Sequence, residues 1–115
     1  MDLTELLMAL EQITDIKVYP DICTDEDTRM YITYVYQDER PQLAADNKVI
    51  ADKCEIYVNL YTPVEYDYFA AKRQIRDYLE SKDFVVNSIN GGVEIYEELK
   101  VRKTTFDCEY AAFRE

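Results

Sequence analysis

The side chains that could carry chemistry in this chain of 115 residues are 24 carboxylates, 11 tyrosines and three cysteines, because the sequence contains no histidine. Histidine is the residue most often used for proton transfer near neutral pH, and Ser-His-Asp and Cys-His catalysis both depend on it. Paired carboxylates could hydrolyse a glycosidic bond, but with so many acids some pair lies at a suitable separation in any fold. The composition therefore favours a protein that is not an enzyme.

One polar segment is rich in acids that could suggest a calcium loop: Asp21, Asp25, Glu26 and Asp27. Their spacing misses the alternating ligand pattern, and no glycine supplies the sharp turn of such a loop. The cysteines are Cys23, Cys54 and Cys108. Their odd number and wide spacing predict buried free thiols, not a disulfide or zinc pair. With only two glycines, a phosphate-binding loop cannot be built, so we expect neither a metal nor a cofactor.

The net charge of −11 repels a phosphate backbone, which disfavours direct binding of nucleic acid. The first residues lack the basic region and apolar run of a secretory signal. No apolar run reaches the length of about 18 residues that a membrane span requires. We therefore expect a cytosol-like compartment and no membrane contact.

Two helices are predicted from apolar spacing and capping residues. Leucines at helical spacing after Asp2 predict a first helix over about 3–13. The segment Thr62-Pro63-Val64-Glu65 has a hydroxyl at the N-cap, proline at the first helical position and glutamate at the third. It predicts the start of a long helix that ends near Ser81.

A short extended piece at 17–20 is stopped by Pro20. Strands are predicted where β-branched and aromatic residues are dense or alternate: 30–37, 54–61, 84–89, 93–96 and 101–113. Asn90-Gly91-Gly92 is predicted to be a hairpin turn. The expected fold is one α+β domain over 1–115, in the order α-β-β-α-β-β-β. Its antiparallel or mixed sheet carries the N-terminal helix and the long helix on one face.

Five tyrosines crowd two of these strands: Tyr31, Tyr34, Tyr36, Tyr57 and Tyr61. Strict alternation prevents all of them from facing one core, so some must point outward. They are either cross-strand pairs on a solvated face or part of a subunit interface, where tyrosine is enriched.

The connection 40–53 contains the segment Ala45-Asp46-Asn47-Lys48-Val49-Ile50, and the following strand ends in Asn59-Leu60-Tyr61-Thr62. This pattern resembles the tail-terminator, or tail-completion and head–tail joining, proteins of tailed phages and prophages of Gram-positive bacteria. The similarity covers nearly the whole chain, from the leucine-rich first helix through the tyrosine-rich strand and long helix to the acidic closing strand.

The resemblance implies a homo-oligomeric ring, commonly a hexamer, that caps the finished tail tube and contacts the head connector. Such a protein belongs to the virion, assembles in the host cytoplasm and lets DNA pass through its ring. The 40–53 connection would be a loop that becomes ordered against a neighbouring subunit. The candidate interface residues are Asp46, Asn47, Lys48, Val49, Tyr57 and Tyr61. Asp46 to Lys48 also fit an ordinary polar turn.

Two alternatives stay open from the sequence. Another head–tail connector or a tail-tube subunit would share these features. An acidic module that mimics DNA, and so inhibits a host enzyme, would fit the charge. Such a mimic sets its carboxylates in rows on one face, whereas the acids here are scattered along the chain.

Overall fold

The computed structural model describes residues 3–23, 30–45, 48–96 and 99–113, which form one α+β domain. Two short helices, α1 (Leu3–Met8) and α2 (Leu10–Thr14), precede the strands β1 (Val18–Pro20), β2 (Tyr31–Ala45) and β3 (Lys48–Pro63). One longer helix, α3 (Phe69–Ser81), is followed by β4 (Val85–Tyr96) and β5 (Leu99–Phe113). The five strands make a mixed sheet in the order β1-β2-β3-β5-β4, parallel only between β1 and β2.

The core lies between the helices and one face of the sheet. Strand residues at alternate positions, such as Ile56, Val58 and Leu60 on β3, are fully buried. They belong to one cluster with Leu7 of α1 and Ile75 of α3. Alternation places the odd-numbered residues of β3 on the opposite face. The sheet therefore has one face in the core and a second face pointing away from the helices, which we call the open face.

The N-terminal helical segment is interrupted at Ala9, which separates α1 from α2 although its backbone stays in the right-handed helical region. Asp15 closes α2 in a left-handed conformation with φ 61°, and its N–H donates to Glu11. The Tyr78 hydroxyl on α3 donates to the backbone carbonyl of Leu6, at 2.7 Å. This bond fixes α3 against α1.

The predicted start of the long helix is wrong. β3 continues through Thr62, which is fully buried opposite Arg102 of β5, and α3 begins only at Phe69. Proline is tolerated at Pro63 because this residue ends β3 and has a paired strand on one side only, where it lies opposite Val101 of β5, while β2 pairs with β3 only as far as Tyr61. Cross-strand pairing thus overrides the local capping signal.

The predicted hairpin turn at 90–92 is also wrong, because β4 runs without a break through these residues. Gly91 and Gly92 pair with Thr104 and Lys103 and have negative φ. The observed order, α-α-β-β-β-α-β-β, differs from the expected one for three reasons. Residues 85–96 form one strand, the first helix is divided, and the short extended piece at 18–20 pairs with β2 as a strand of its own.

The connection 40–53 is not a loop in its described part. β2 extends to Ala45, β3 begins at Lys48, and their pairing continues to that end. β5 covers β3 only from Ala51 onward, so the residues beyond form a two-stranded ribbon. Residues 46 and 47, like the acidic stretch 24–29 and residues 97 and 98, lie outside the described residues.

Candidate functional site

The open face is the candidate functional site because it carries polar and aromatic side chains of four strands. Four tyrosines contribute to it: Tyr19, Tyr31, Tyr57 and Tyr61. The pairing register places the side chains in rows across the strands, since directly opposed residues share a face. Three rows can be distinguished by their chemistry: one is aromatic, one is a hydrogen-bonded ladder and one is acidic.

The first row is aromatic. The rings of Tyr31 and Tyr61 stack with centroids 4.6 Å apart, and Tyr19 meets Tyr31 edge-on at 6.3 Å. The Lys103 ammonium lies 5.7 Å from the centroid of the Tyr61 ring and 4.0 Å from the Glu94 carboxylate. Such stacked and cation–π contacts leave aromatic surface exposed while fixing its geometry.

A cleft of about 270 Å³ adjoins this aromatic row, and it is lined by Asp21, Ile22, Cys23, Tyr31, Thr33 and Tyr61. Burial raises the pKa of Tyr31 above its usual value, and the nearby Tyr61, Cys23 and Glu94 add to that shift. The Tyr31 hydroxyl therefore stays protonated, and can donate a hydrogen bond, at any physiological pH.

The second row is a hydrogen-bonded ladder across three strands. The Asn59 amide donates to the Thr33 hydroxyl at 3.2 Å, and the Thr105 hydroxyl donates to the Asn59 carbonyl at 2.8 Å. Asn59 and Thr33 are buried although they lie on the open face. Because both ends of the amide are satisfied, the ladder holds the sheet centre rigid beneath the aromatic row.

The third row is acidic, with Asp38, Glu55 and Glu109 directly opposite one another on β2, β3 and β5. Like charges in such positions repel, and two cations lie among them. Arg40 forms an ion pair with Asp38, and Lys53 lies 3.1 Å from Glu109. The hydrogen bond from Arg40 lowers the pKa of Asp38. Asp38 is therefore ionised, and the row sets three carboxylates against two cations.

The predicted interface residues divide into two groups. Tyr57 and Tyr61 both lie on the open face, with Tyr61 in the aromatic row and Tyr57 beside the acidic row. The Glu55 carboxylate, followed by burial and Asp107, raises the pKa of Tyr57. These two residues share the site as the alternation predicted.

The second group, from Asp46 to Val49, is not brought to the same place. The backbones of Lys48 and Val49 pair with Ala45 and Ala44 in the ribbon, and Asp46 and Asn47 lie outside the described residues. Eight residues of strand separate Val49 from Tyr57, which is about 26 Å at the usual rise. The ribbon and the open face are thus separate surfaces.

Sequence reasoning missed the polar ladder and the acidic row. Alternation within β3 already assigned Glu55, Tyr57 and Asn59 to one face, and Asp107 and Glu109 alternate with core residues in β5. The missing information was the register between strands, which decides that Glu55 is opposite Glu109 and that Asn59 is opposite Thr105.

The aromatic, polar and acidic side chains of the open face can form packing contacts, hydrogen bonds and ion pairs with another molecule. Cys54 and Cys108 are buried, and burial raises the pKa of both thiols, that of Cys108 to about 12, so neither forms a thiolate readily. A cleft of about 470 Å³ is lined by Leu3, Tyr36, Gln37, Asp38, Glu39 and Cys54. Within the described ranges, no three His, Cys, Asp or Glu side chains are grouped to hold a metal ion.

No protein-family model matches the chain, and no curated protein matches its sequence. Among the helices that the structure describes, none is long and apolar enough to cross a membrane.

Proposed function

We propose that this chain is a structural subunit of a phage virion, a tail-terminator or tail-completion protein that forms a ring and joins the tail to the head connector. The observation that carries the proposal is the open face, which presents ordered tyrosines and carboxylates on the side of the sheet opposite the described helices. Tyrosine-rich faces suit protein contacts, because each ring offers a large area and a polar tip. The resemblance of the 45–50 segment supplies the identity of the assembly.

The ribbon beyond Ala51 supports the same proposal. It extends β2 and β3 past the part of the sheet that β5 covers, and the domain is elongated, with extents of 56 × 25 × 23 Å. A two-stranded ribbon is only marginally stable by itself. Contact with a neighbouring subunit in a ring would stabilise it, and the ring would act without catalysis, cofactor or membrane.

Native mass spectrometry and electron microscopy of the purified chain, alone and with tail tubes, test this proposal. We expect a closed ring, commonly a hexamer, that caps tube ends. Tyr61→Ala should weaken the oligomeric ring because it removes the side chain that stacks on Tyr31 in the aromatic row. Tyr66→Ala, at an exposed position outside the sheet, should leave the oligomer unchanged. A strict monomer that never joins tubes would contradict the proposal.

Deletion from the phage distinguishes roles within the same assembly. Loss of a terminator leaves overlong tails, loss of a head-side connector leaves tailless heads, and loss of a tube subunit leaves no tube. Overlong tails are the outcome we expect.

A second candidate function is an acidic module that binds a basic protein, and the acidic row favours it. Asp38, Glu55 and Glu109 form a line of carboxylates on one face, which the scattered sequence positions had hidden. An oligo-arginine peptide should bind this row, and Glu55→Gln should weaken that binding without affecting a ring. Equal binding by wild type and variant would remove this candidate.

A further inference from the structure

The two edges of the sheet differ in how well they are protected from pairing with another strand. One edge is β1, which has only three residues and ends at Pro20. The other edge is β4, a strand of 12 residues whose outer side has no neighbouring strand in the described sheet. Short strands and proline protect an edge, whereas a long regular strand offers a row of free N–H and C=O groups.

β4 lacks the residues that usually prevent edge pairing. It contains no proline and no lysine, and its single charged residue is Glu94, which already has Lys103 as a partner. The strand has one bulge, between Val86 and Ser88, and its pairing is regular from Ser88 to Tyr96. Two apolar side chains within this regular stretch are exposed, Val93 at 48% and Ile95 at 67%.

We propose that β4 pairs antiparallel with β4 of a second copy of this chain, about a two-fold axis at Gly92, so that the two sheets become one. With Gly92 on the axis, the whole regular stretch from Ser88 to Tyr96 is paired. Ile95 then lies opposite the partner's Ile89, and Val93 lies opposite the partner's Gly91. Opposed residues share a face in an antiparallel pair, so each apolar side chain meets apolar or small surface on the same side.

The charge of the chain selects this surface for contact with a second copy. Two chains of net charge −11 repel each other, so a stable contact needs a surface with few acids. In the proposed register Glu94 lies opposite the partner's Asn90, and no carboxylate faces another across the new pair. A shift that placed Glu94 on the axis would oppose two carboxylates.

The free outer edge of β2 is a poorer partner for β4. Beyond the three residues that β1 covers, β2 carries Asp38, Glu39, Arg40 and Pro41, and its own pairing with β3 is irregular at several positions. Proline, charge and irregular register all disfavour a further strand. The symmetric pairing through β4 avoids each of these obstacles.

This pairing is independent of the proposed ring. A two-fold contact uses the same patch on both copies, whereas a ring uses two different patches head to tail, and dihedral symmetry accommodates both as a double ring. Their failures are distinguishable, because each is disrupted by different substitutions.

Sedimentation equilibrium over a range of concentrations tests the pairing in the full chain. Ile95→Glu places a carboxylate against the partner's Ile89 and should raise the dimer dissociation constant at least about tenfold. Val85→Glu is the matched control, since Val85 is 57% exposed on the same strand but precedes the bulge. It should leave association unchanged.

Oxidative cross-linking tests the register. In a Cys23→Ser background, Gly92→Cys should give a disulfide-linked dimer with copper phenanthroline, because two opposed residues of an antiparallel pair lie within disulfide reach. Glu94→Cys should give none, since its partner is Asn90. A monomer at every concentration, an unaffected dimer in Ile95→Glu, or equal cross-linking of both cysteine variants would overturn the inference. A double ring that stays intact in Ile95→Glu would overturn the inference while leaving the proposed function intact, whereas its separation into single rings would support both.

Discussion

At the scale of single residues, the open face depends on one amide. Asn59 bonds two threonine hydroxyls on neighbouring strands, and it is buried with Thr33 while Thr105 is half-buried. These two hydrogen bonds hold the surrounding rings and carboxylates in place, because a buried hydroxyl without a partner would destabilise the sheet.

Asn59→Ala should lower the free energy of unfolding by about 1–3 kcal/mol, because Thr33 and Thr105 each lose a partner. Asn90→Ala is the control, since Asn90 is exposed and bonds only Ser88 among the bonds described here. It should change stability by less than about 0.5 kcal/mol. Urea unfolding measures both, and equal effects would show that the ladder is not a stabilising unit.

Buried thiols should make the protein sensitive to alkaline pH. Burial raises the pKa of Cys108 from 9.0 to about 12, so the folded state disfavours its thiolate. The stabilisation is present below pH 9 and is lost as pH rises toward 12, at up to about 1.4 kcal/mol per pH unit. Burial raises the pKa of Tyr78 as well, in the same direction.

Chemical unfolding followed from pH 7 to pH 11 checks this expectation. The wild type should be level up to about pH 9 and then lose stability, and Cys108→Val should lose less over the same range. A curve that falls equally in both proteins would assign the alkaline loss to other groups, such as the tyrosines.

At the scale of elements, the end of α3 is built on an aspartate where helices usually carry glycine. Asp83 has φ 68°, its N–H donates to Glu80, and the N–H of Phe84 donates to Leu79 at 3.0 Å. These two bonds are the Schellman pattern that terminates a helix. A side chain with Cβ is strained in this conformation, and a carboxylate is unfavourable near a helix C-terminus.

Asp83→Gly should therefore stabilise the protein by about 0.5–1 kcal/mol, and Asp83→Ala should not. Thermal unfolding distinguishes the two variants. If alanine raises the melting temperature as much as glycine does, charge and not backbone conformation explains the effect.

Replacing Gly92 in β4 with a larger residue should stabilise the protein. At Asp83 a positive φ favours glycine, whereas the extended backbone at Gly92 accepts a side chain. Gly92 is extended, has negative φ, and a Cβ added there meets no atom within 4 Å. Gly92→Thr should raise the free energy of unfolding by about 0.4–1 kcal/mol, because it restricts the unfolded chain and suits a strand. Loss of stability on this substitution would instead indicate a turn at 90–92.

The sequence predicted those elements whose pattern is set by burial. Alternation around Val58 and Phe106 indicated strands with one core face, and the spacing of Ile75 and Leu79 indicated the long helix. It failed where long-range pairing outweighs local preference, as at Thr62, and where glycine lies in a strand. Alternation within each strand predicts which residues lie on the open face. It does not predict which of them lie opposite one another, because the register depends on how two strands pair.

At the scale of the whole molecule, charge opposes folding and association together. A net charge of −11 on a domain of this size creates repulsion throughout the surface, only partly offset by ion pairs such as Lys53 with Glu109. Salt shortens the range of this repulsion, from a Debye length of about 10 Å at 0.1 M to about 3 Å at 1 M. Added salt should therefore stabilise both the folded state and any assembly of it.

Raising sodium chloride from 0.05 M to 0.5 M should therefore increase the free energy of unfolding and strengthen self-association, since Debye screening weakens repulsion between acids more than it weakens the few close ion pairs. The variant Glu5→Gln with Glu80→Gln carries two fewer negative charges and should gain less from the same salt. Urea unfolding and sedimentation at both salt concentrations measure the two effects. If salt lowers stability, attraction within the acidic row and its cations outweighs the net repulsion, because screening would then be removing more stabilising than destabilising interaction.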